Sequence, residues 1–339
     1  MNERSTAWRI LSALVAAGLL AAFLNVAESP NPTRISFQRR PDRVVVRLGG
    51  KPFTEHVFTG HAKPILFPII GPGGVPMTRS WPIVKGIPDE PHDHPHHESL
   101  WFMHGDINGV DFWAHKPDKA GRLPEVRQTA IEISEPDGTI ESRNEWRRPD
   151  GTIVMTDARR IRFWAEGAPG AAGSSARGID YDITLRADHG EVVLGDTKEG
   201  MMAIRVHHAL QLEDLDGSRG AAGTVVNSEG ERNATAWGRP ARWVDYSGTI
   251  DGKPVGIAVF DHPGNLRHPT RWHARGYGLF AANPFGLHDF AGEPRGSGSH
   301  TIPDGGTLRL RYRFVFHEGD AEHAGIERRW REWAGGDRP

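Results

Sequence analysis

Between Thr307 and His317, Leu308, Leu310, Tyr312, Phe314 and Phe316 alternate with Arg309, Arg311 and Arg313. A period of two places the apolar set on one face of a strand and the arginines on the other. Similar alternation runs through Arg43–Leu48, Thr129–Ser134, Thr152–Thr156, Arg160–Ala165, Tyr181–Ala187, Gly200–Leu212 and Pro254–Asp261. Pro-Asp-Gly recurs at 136–138, 149–151 and 303–305, and Asp251-Gly252 separates two alternating runs. Those are hairpin turns, because glycine supplies the positive φ that tight reversals require. The pattern predicts an all-β fold, a large antiparallel β-sandwich. One helix of any length is expected, at the C-terminus: Asp320 caps it, Ile326, Trp330 and Trp333 share a face that packs on the sheet, and Gly335-Gly336 ends it. The Ala/Gly/Ser-rich stretch 167–178 reads as a loop insertion, and nothing marks a second domain within 43–334.

The N-terminus has a different pattern. Arg4 and Arg9 precede an apolar or small stretch from Ile10 to Leu24, about fifteen residues against the roughly 20 that a spanning helix needs. Residues 1–27 therefore read as a signal peptide, with a retained N-terminal membrane anchor or a cytoplasmic amphipathic start as alternatives. Residues 28–42 read as a spacer. The expected location is exported, periplasmic or membrane-anchored.

Composition narrows the chemistry. The 339 residues hold 41 basic and 43 acidic side chains, which argues against a dedicated nucleic-acid binder. With 18 histidines and no cysteine, there is no disulfide, thiol nucleophile or cysteine metal site, and any metal must rest on imidazole and carboxylate. Familiar signatures are missing: Gly71–Gly74 does not open a helical pattern, Gly296–His300 is no nucleophile elbow, and no His-Glu-x-x-His occurs.

Histidine is concentrated at PHDHPHHESLWFMHGDINGVDFW, Pro91 to Trp113, which holds His92, His94, His96, His97 and His104 among acidic side chains. In an extended segment alternate residues project to one side roughly 6–7 Å apart, so His92, His94 and His96 are a candidate set for a divalent metal ion. Imidazole also serves as acid, base or sugar-hydroxyl partner. A solvated, hydrogen-bonded loop is the competing structural reading. A second group, Asp196-Thr197-Lys198-Glu199-Gly200, offers two carboxylates for acid and base roles, or a surface turn with a weak ion pair. A third stretch, Trp237 to Gly286, mixes aromatics with planar polar groups in the way a polyhydroxylated ligand requires, although core packing is the alternative for each residue singly. Its Pro/Gly/His-rich segment Asp261–His273 is expected to line a mouth.

The blocks DHPHHESLWFMHGDINGVDFW, DTKEG, WVDYSG, FDHPGNLRHPTRWH and GLFAANPFG, in order from about residue 60 to 317, closely resemble the bacterial PmoA-like domain family. The resemblance implies an exported β-rich protein of carbohydrate catabolism, similar in shape to the galactose-mutarotase-like supersandwich. Met201–Ala203 and His207-His208 depart from that family's pattern, which removes support for a role of either histidine.

The expected function is that of an exported carbohydrate-active enzyme using His/carboxylate acid–base or metal-assisted chemistry, by hydrolysis, elimination or epimerisation. A non-catalytic sugar-binding or envelope scaffold protein is the alternative, and a metal-dependent oxygenase the third. His94, His96, His97, Asp196 and Glu199 are the expected catalytic residues. Arg79, His104, Arg242, Trp243, Asp245, His268, Trp272, His273 and Tyr277 are expected to bind the substrate, a small carbohydrate. The histidine loop and the third stretch are expected to share one site. The oligomeric state is left open.

Overall fold

The computed structural model describes residues 32–166, 175–212 and 223–336. The expected signal peptide or anchor, residues 1–27, lies outside them, as does most of the 167–178 insertion. Two eight-stranded antiparallel sheets dominate the fold. In spatial order the first consists of β1 (Ile35–Arg39), β2 (Arg43–Leu48), β3 (Lys51–Val57), β4 (Ile65–Leu66), β5 (Leu100–His104), β11 (Gly200–Arg205), β16 (Leu279–Asn283) and β15 (Arg271–Ala274). The second runs β12 (Thr224–Asn227), β13 (Trp243–Ile250), β14 (Lys253–Asp261), β18 (Thr307–Glu318), β9 (Ala176–Arg186), β8 (Ile153–Glu166), β7 (Thr139–Arg147) and β6 (Glu125–Ser134). A small ladder pairs β10 (Val192–Leu194) with β17 (His300–Ile302). Among the described residues no helix is long and apolar enough to cross a membrane.

The sheets bury a common core. Leu310, Tyr312, Phe314 and Phe316 of β18 point inward, and Phe316 meets Phe53 of β3 edge to face at 6.2 Å. Phe53 also meets Phe163, and Phe102 of β5 meets Trp146 of β7, in the same edge-to-face manner across the interface. On the outer face Arg309 and Arg313 pair with Asp182 and Asp180 of β9. The alternation in the sequence is thus the division between core and ion-paired surface. Asp251 and Gly252 both adopt positive φ at the β13–β14 reversal.

Three boundaries differ from the expectations. Residues 35–39, inside the stretch read as a spacer, form β1 and pair with β2. Ala176–Gly178, at the end of the expected insertion, already belong to β9, where Gly178 lies against the Trp164 ring. Asp320 does not cap the C-terminal helix; its carboxylate accepts from His323 N in the preceding turn. Besides the one-turn α1 (Leu287–Ala291), the helix itself is α2 (Ile326–Gly335), entered through Gly325 in the left-handed region. Its tryptophans pack on the second sheet as expected: Trp333 lies 6.0 Å from Phe260, and Trp330 Nε1 donates to the Asp261 carbonyl.

Candidate functional site

Strand register decides which side chains meet. Phe102, Met202, Ala282 and Trp272 form one row across β5, β11, β16 and β15, and Trp101, Ala203, Ala281 and His273 form the next. Phe102 faces the second sheet, so its row belongs to the core; the neighbouring row faces outward. Arg205, two residues past Ala203, shares the outward face. Onto this face fold the loop between β4 and β5, the segment after β5 and the turn between β15 and β16.

The centre of the arrangement is Asp93. Arg79 Nη1 donates to its Oδ1 at 2.6 Å, and Arg205 Nη2 donates to its two oxygens at 2.8 and 3.0 Å. Both guanidinium groups are fully buried. Arg79 also donates to the carbonyls of Pro91, Asp93, His94 and His97, so one side chain fixes the path of the histidine loop. Burial alone would raise the Asp93 pKa, but the hydrogen bond from His94 and the two guanidinium charges outweigh it and hold the carboxyl well below its usual range. His94 Nδ1 donates to Asp93 Oδ2.

The His94 ring lies nearly parallel to those of His97 (4.7 Å) and Tyr277 (5.0 Å), which are themselves 6.4 Å apart, and remains partly exposed. His96 completes the cluster, 4.4 Å from His97. Burial and the nearby Lys63 charge depress the His96 pKa to about 4. His97 is buried on Trp101; Arg205 Nη1 donates to its Nδ1, and burial pushes its pKa well down. Behind it, Lys63 Nζ donates to Glu98 and to the His96 carbonyl, and His61 engages the other Glu98 oxygen. His115 belongs to the same neighbourhood, its pKa depressed to about 3 by burial and by Lys63.

Glu199 lies within electrostatic reach of His94. Burial raises its pKa against the pull of Lys198, with the charges of Asp111 and His94 also acting on it. His273 reaches the same neighbourhood from β15; burial, Arg275, Lys198 and His94 together lower its pKa to about 3. His94, His96, His97, Glu199, His273 and Tyr277 are therefore brought together, with Arg79 beneath them.

The other expected site residues lie elsewhere. Asp196 accepts from the backbone N–H groups of His288, Gly296 and Gly298 and ties down the α1 loop, so it is an anchor and not a carboxylate facing His94. His104 shares the inward face of Phe102, fully buried, with Nε2 donating to Gly195 O. Trp272 is a core residue of the same face, its Nε1 donating to Ala241 O. Asp245 forms a buried pair with His317 at 2.6 Å. Arg242, Trp243 and His268 gather around α2: Trp243 Nε1 donates to Glu327, while Arg242 and His268 lie over the Trp330 ring. The Asp261–His273 segment is folded on itself by Asp261, which accepts from His268, Asn265 and Thr270, and it meets α2 through His262, His268 and the Asp261 carbonyl. One shared site for the whole third stretch is thus corrected to a partial overlap through His273 and Tyr277.

His92, His94 and His96 do not form the expected set for a metal. His94 has φ +44, and His97 N donates to His94 O, so the loop turns where alternation was assumed. His92 instead stacks on Trp81 at 5.3 Å. Among the described residues no group of three His, Asp or Glu side chains is placed to hold a metal ion.

Lys63, His115 and Arg275 escaped the sequence reading. For Arg275 a signal existed: His273, Arg275 and Tyr277 alternate at period two. A groove of about 550 Å³ lies away from this chemistry, against α2 on the outer face of the second sheet, lined by Arg162, Trp164, Asp180, Arg313 and Trp333 among others.

Among solved structures the chain is similar to a GH36 α-galactosidase from Geobacillus stearothermophilus in complex with raffinose, at 7% identity and a TM-score of 0.30, over 84% of this chain and 41% of that one. It is also similar to an α-galactosidase from Lactobacillus brevis, at 9% identity and a TM-score of 0.29, over 86% and 40%. The chain thus spans about two fifths of the length of these enzymes. A search of curated proteins finds no match. The family model that matches, over residues 43–331, is described as "Family of unknown function (DUF6807)". That match corrects the PmoA-like resemblance of the five sequence blocks. The chain belongs to the DUF6807 family of unknown function.

Proposed function

We propose that the chain is an acid–base enzyme acting on a sugar or closely similar polyhydroxylated small molecule at the outward face around His94. The observation that carries this reading is the Asp93–His94 pair: a carboxylate fixed by two buried guanidinium groups receives Nδ1–H of a partly exposed imidazole. Such a carboxylate sets the tautomer, leaves Nε2 as the base, and stabilises the imidazolium once a proton has been taken. Glu199, whose pKa is raised by burial, is the complementary acid, since it keeps its proton to higher pH than an exposed glutamate. Tyr277 and Lys198 bring further polar groups to the same neighbourhood. An imidazole base and a carboxyl that burial keeps protonated are suited to taking one proton and returning another. Hydrolysis, elimination and epimerisation all draw on such a pair. The proposal includes an exported protein, released or anchored.

The test is turnover of a panel of monosaccharides and glycosides followed by proton NMR, with wild-type protein and with His94→Gln. The expected result is turnover that falls by roughly a hundredfold or more in the variant while sugar binding persists. Binding without turnover in the wild type would replace the enzyme with a sugar-binding protein, and no binding of any sugar would overturn both.

A further inference from the structure

Arg275 sits on the turn between β15 and β16, exposed, with its guanidinium 5.9 Å from the Trp237 ring centre and 5.6 Å from that of Tyr277. It forms no ion pair among the described residues, whereas the arginines around it are engaged. Arg79 and Arg205 hold Asp93, Arg242 meets Glu327, and Arg267 and Arg271 donate to backbone carbonyls. The two aromatic contacts restrain a guanidinium while leaving its N–H groups without an acceptor among the described residues. A planar fork so held is matched by a carboxylate, which accepts two parallel hydrogen bonds.

The surroundings point the same way. Trp237 Nε1 and His273 Nδ1 are buried ring nitrogens without a hydrogen-bond partner among the described residues, and the two rings lie 6.2 Å apart. Arg275 rests on the same Tyr277 ring that stacks on His94. An acid group held at Arg275 therefore places the rest of a small molecule beside Tyr277 and the Asp93–His94 pair.

We propose that the substrate is an acidic sugar, a polyhydroxylated molecule carrying a carboxylate, and that Arg275 is the residue that binds this carboxylate. The inference rests on the acid–base sugar reading of the same site and names its substrate class.

The test compares D-glucuronate and D-galacturonate with D-glucose, D-galactose and their 6-phosphates, using titration calorimetry on wild type, Arg275→Ala and Arg275→Lys. The uronates should bind roughly tenfold or more tightly than the neutral sugars. Arg275→Ala should erase that preference without changing neutral-sugar binding, and Arg275→Lys should restore part of it, because the charge remains without the fork. An unchanged melting temperature of the alanine variant shows that the fold is intact. Neutral sugars bound as well as uronates, a preference that survives Arg275→Ala, or tighter binding of the 6-phosphates would each overturn the carboxylate assignment while leaving the sugar site standing. Failure of every sugar to bind would remove both.

Discussion

Arg205 on β11 and Asp93 on the histidine loop are joined by hydrogen bonds of 2.8 and 3.0 Å, with the guanidinium fully buried. A strand at the centre of the first sheet thereby holds the segment that presents His94. The same carboxylate also neutralises Arg79, so it serves two buried cations. Asp93→Asn keeps the shape and removes the charge. The expected loss of stability is about 3 kcal/mol, the lower end for breaking a buried ion pair, because Asp93 retains some solvent contact. Urea unfolding measures it, and a loss below roughly 1 kcal/mol, the range of a surface pair, would show that the two arginines do not depend on Asp93.

Asp196 separates an anchoring role from a catalytic one. Its oxygens accept from His288 N, Gly296 N and Gly298 N, each at 3.0 Å, so Asp196→Ala leaves three backbone donors without their acceptor. The expected cost is about 2 kcal/mol, with faster amide exchange confined to the α1 loop. Loss of turnover with unchanged exchange in that loop would instead restore the carboxylate to the chemistry.

The sequence disclosed the strands better than the site, for a physical reason. Alternation is local, and β18 could be read with both its faces because Leu310 and Arg311 differ by one position. The partners of Asp196 lie about a hundred residues away, and Asp93 is clamped by arginines from two other segments; such pairings depend on register, which no local pattern carries. Trp272 and His273 show how narrow the margin is: adjacent residues of β15 face the core and the candidate site respectively. The histidine loop brings His94, His96 and His97 together, but the positive φ of His94 breaks the extended path expected for His92, His94 and His96.

The cluster around α2 should be separable from the site. Trp330 lies under Arg242, stacks with His268 and donates to the Asp261 carbonyl. Trp330→Ala should cost about 3 kcal/mol through lost packing, seen as a lower melting temperature. Sugar binding at a temperature where the variant is folded should match wild type. A variant that folds but binds poorly would show that Arg242, Trp243 and His268 belong to the ligand site after all.

Acid should weaken the fold in two stages. Burial depresses the pKa of His56, His96 and His104 to about 4, that of His115, His207 and His273 to about 3, and that of His97 well below its usual value. These rings stay neutral in the folded protein, whereas the unfolded chain protonates them near 6.5. Below that point the unfolded state binds more protons, so stability falls as pH drops toward the folded values. Asp93 and Glu98 act later with the same sign: their folded pKa values are lowered, so the stability they contribute is present above the unfolded carboxylate range and lost as pH falls beneath it. Urea midpoints measured from about pH 7.5 down to about pH 4.5 should decline beginning near the histidine range. His104→Gln removes one contributor and should make that decline shallower. A midpoint that stays constant until the carboxylates titrate would mean that the buried imidazoles are not held neutral, and with them the electrostatic picture of the His94 cluster would have to be redrawn.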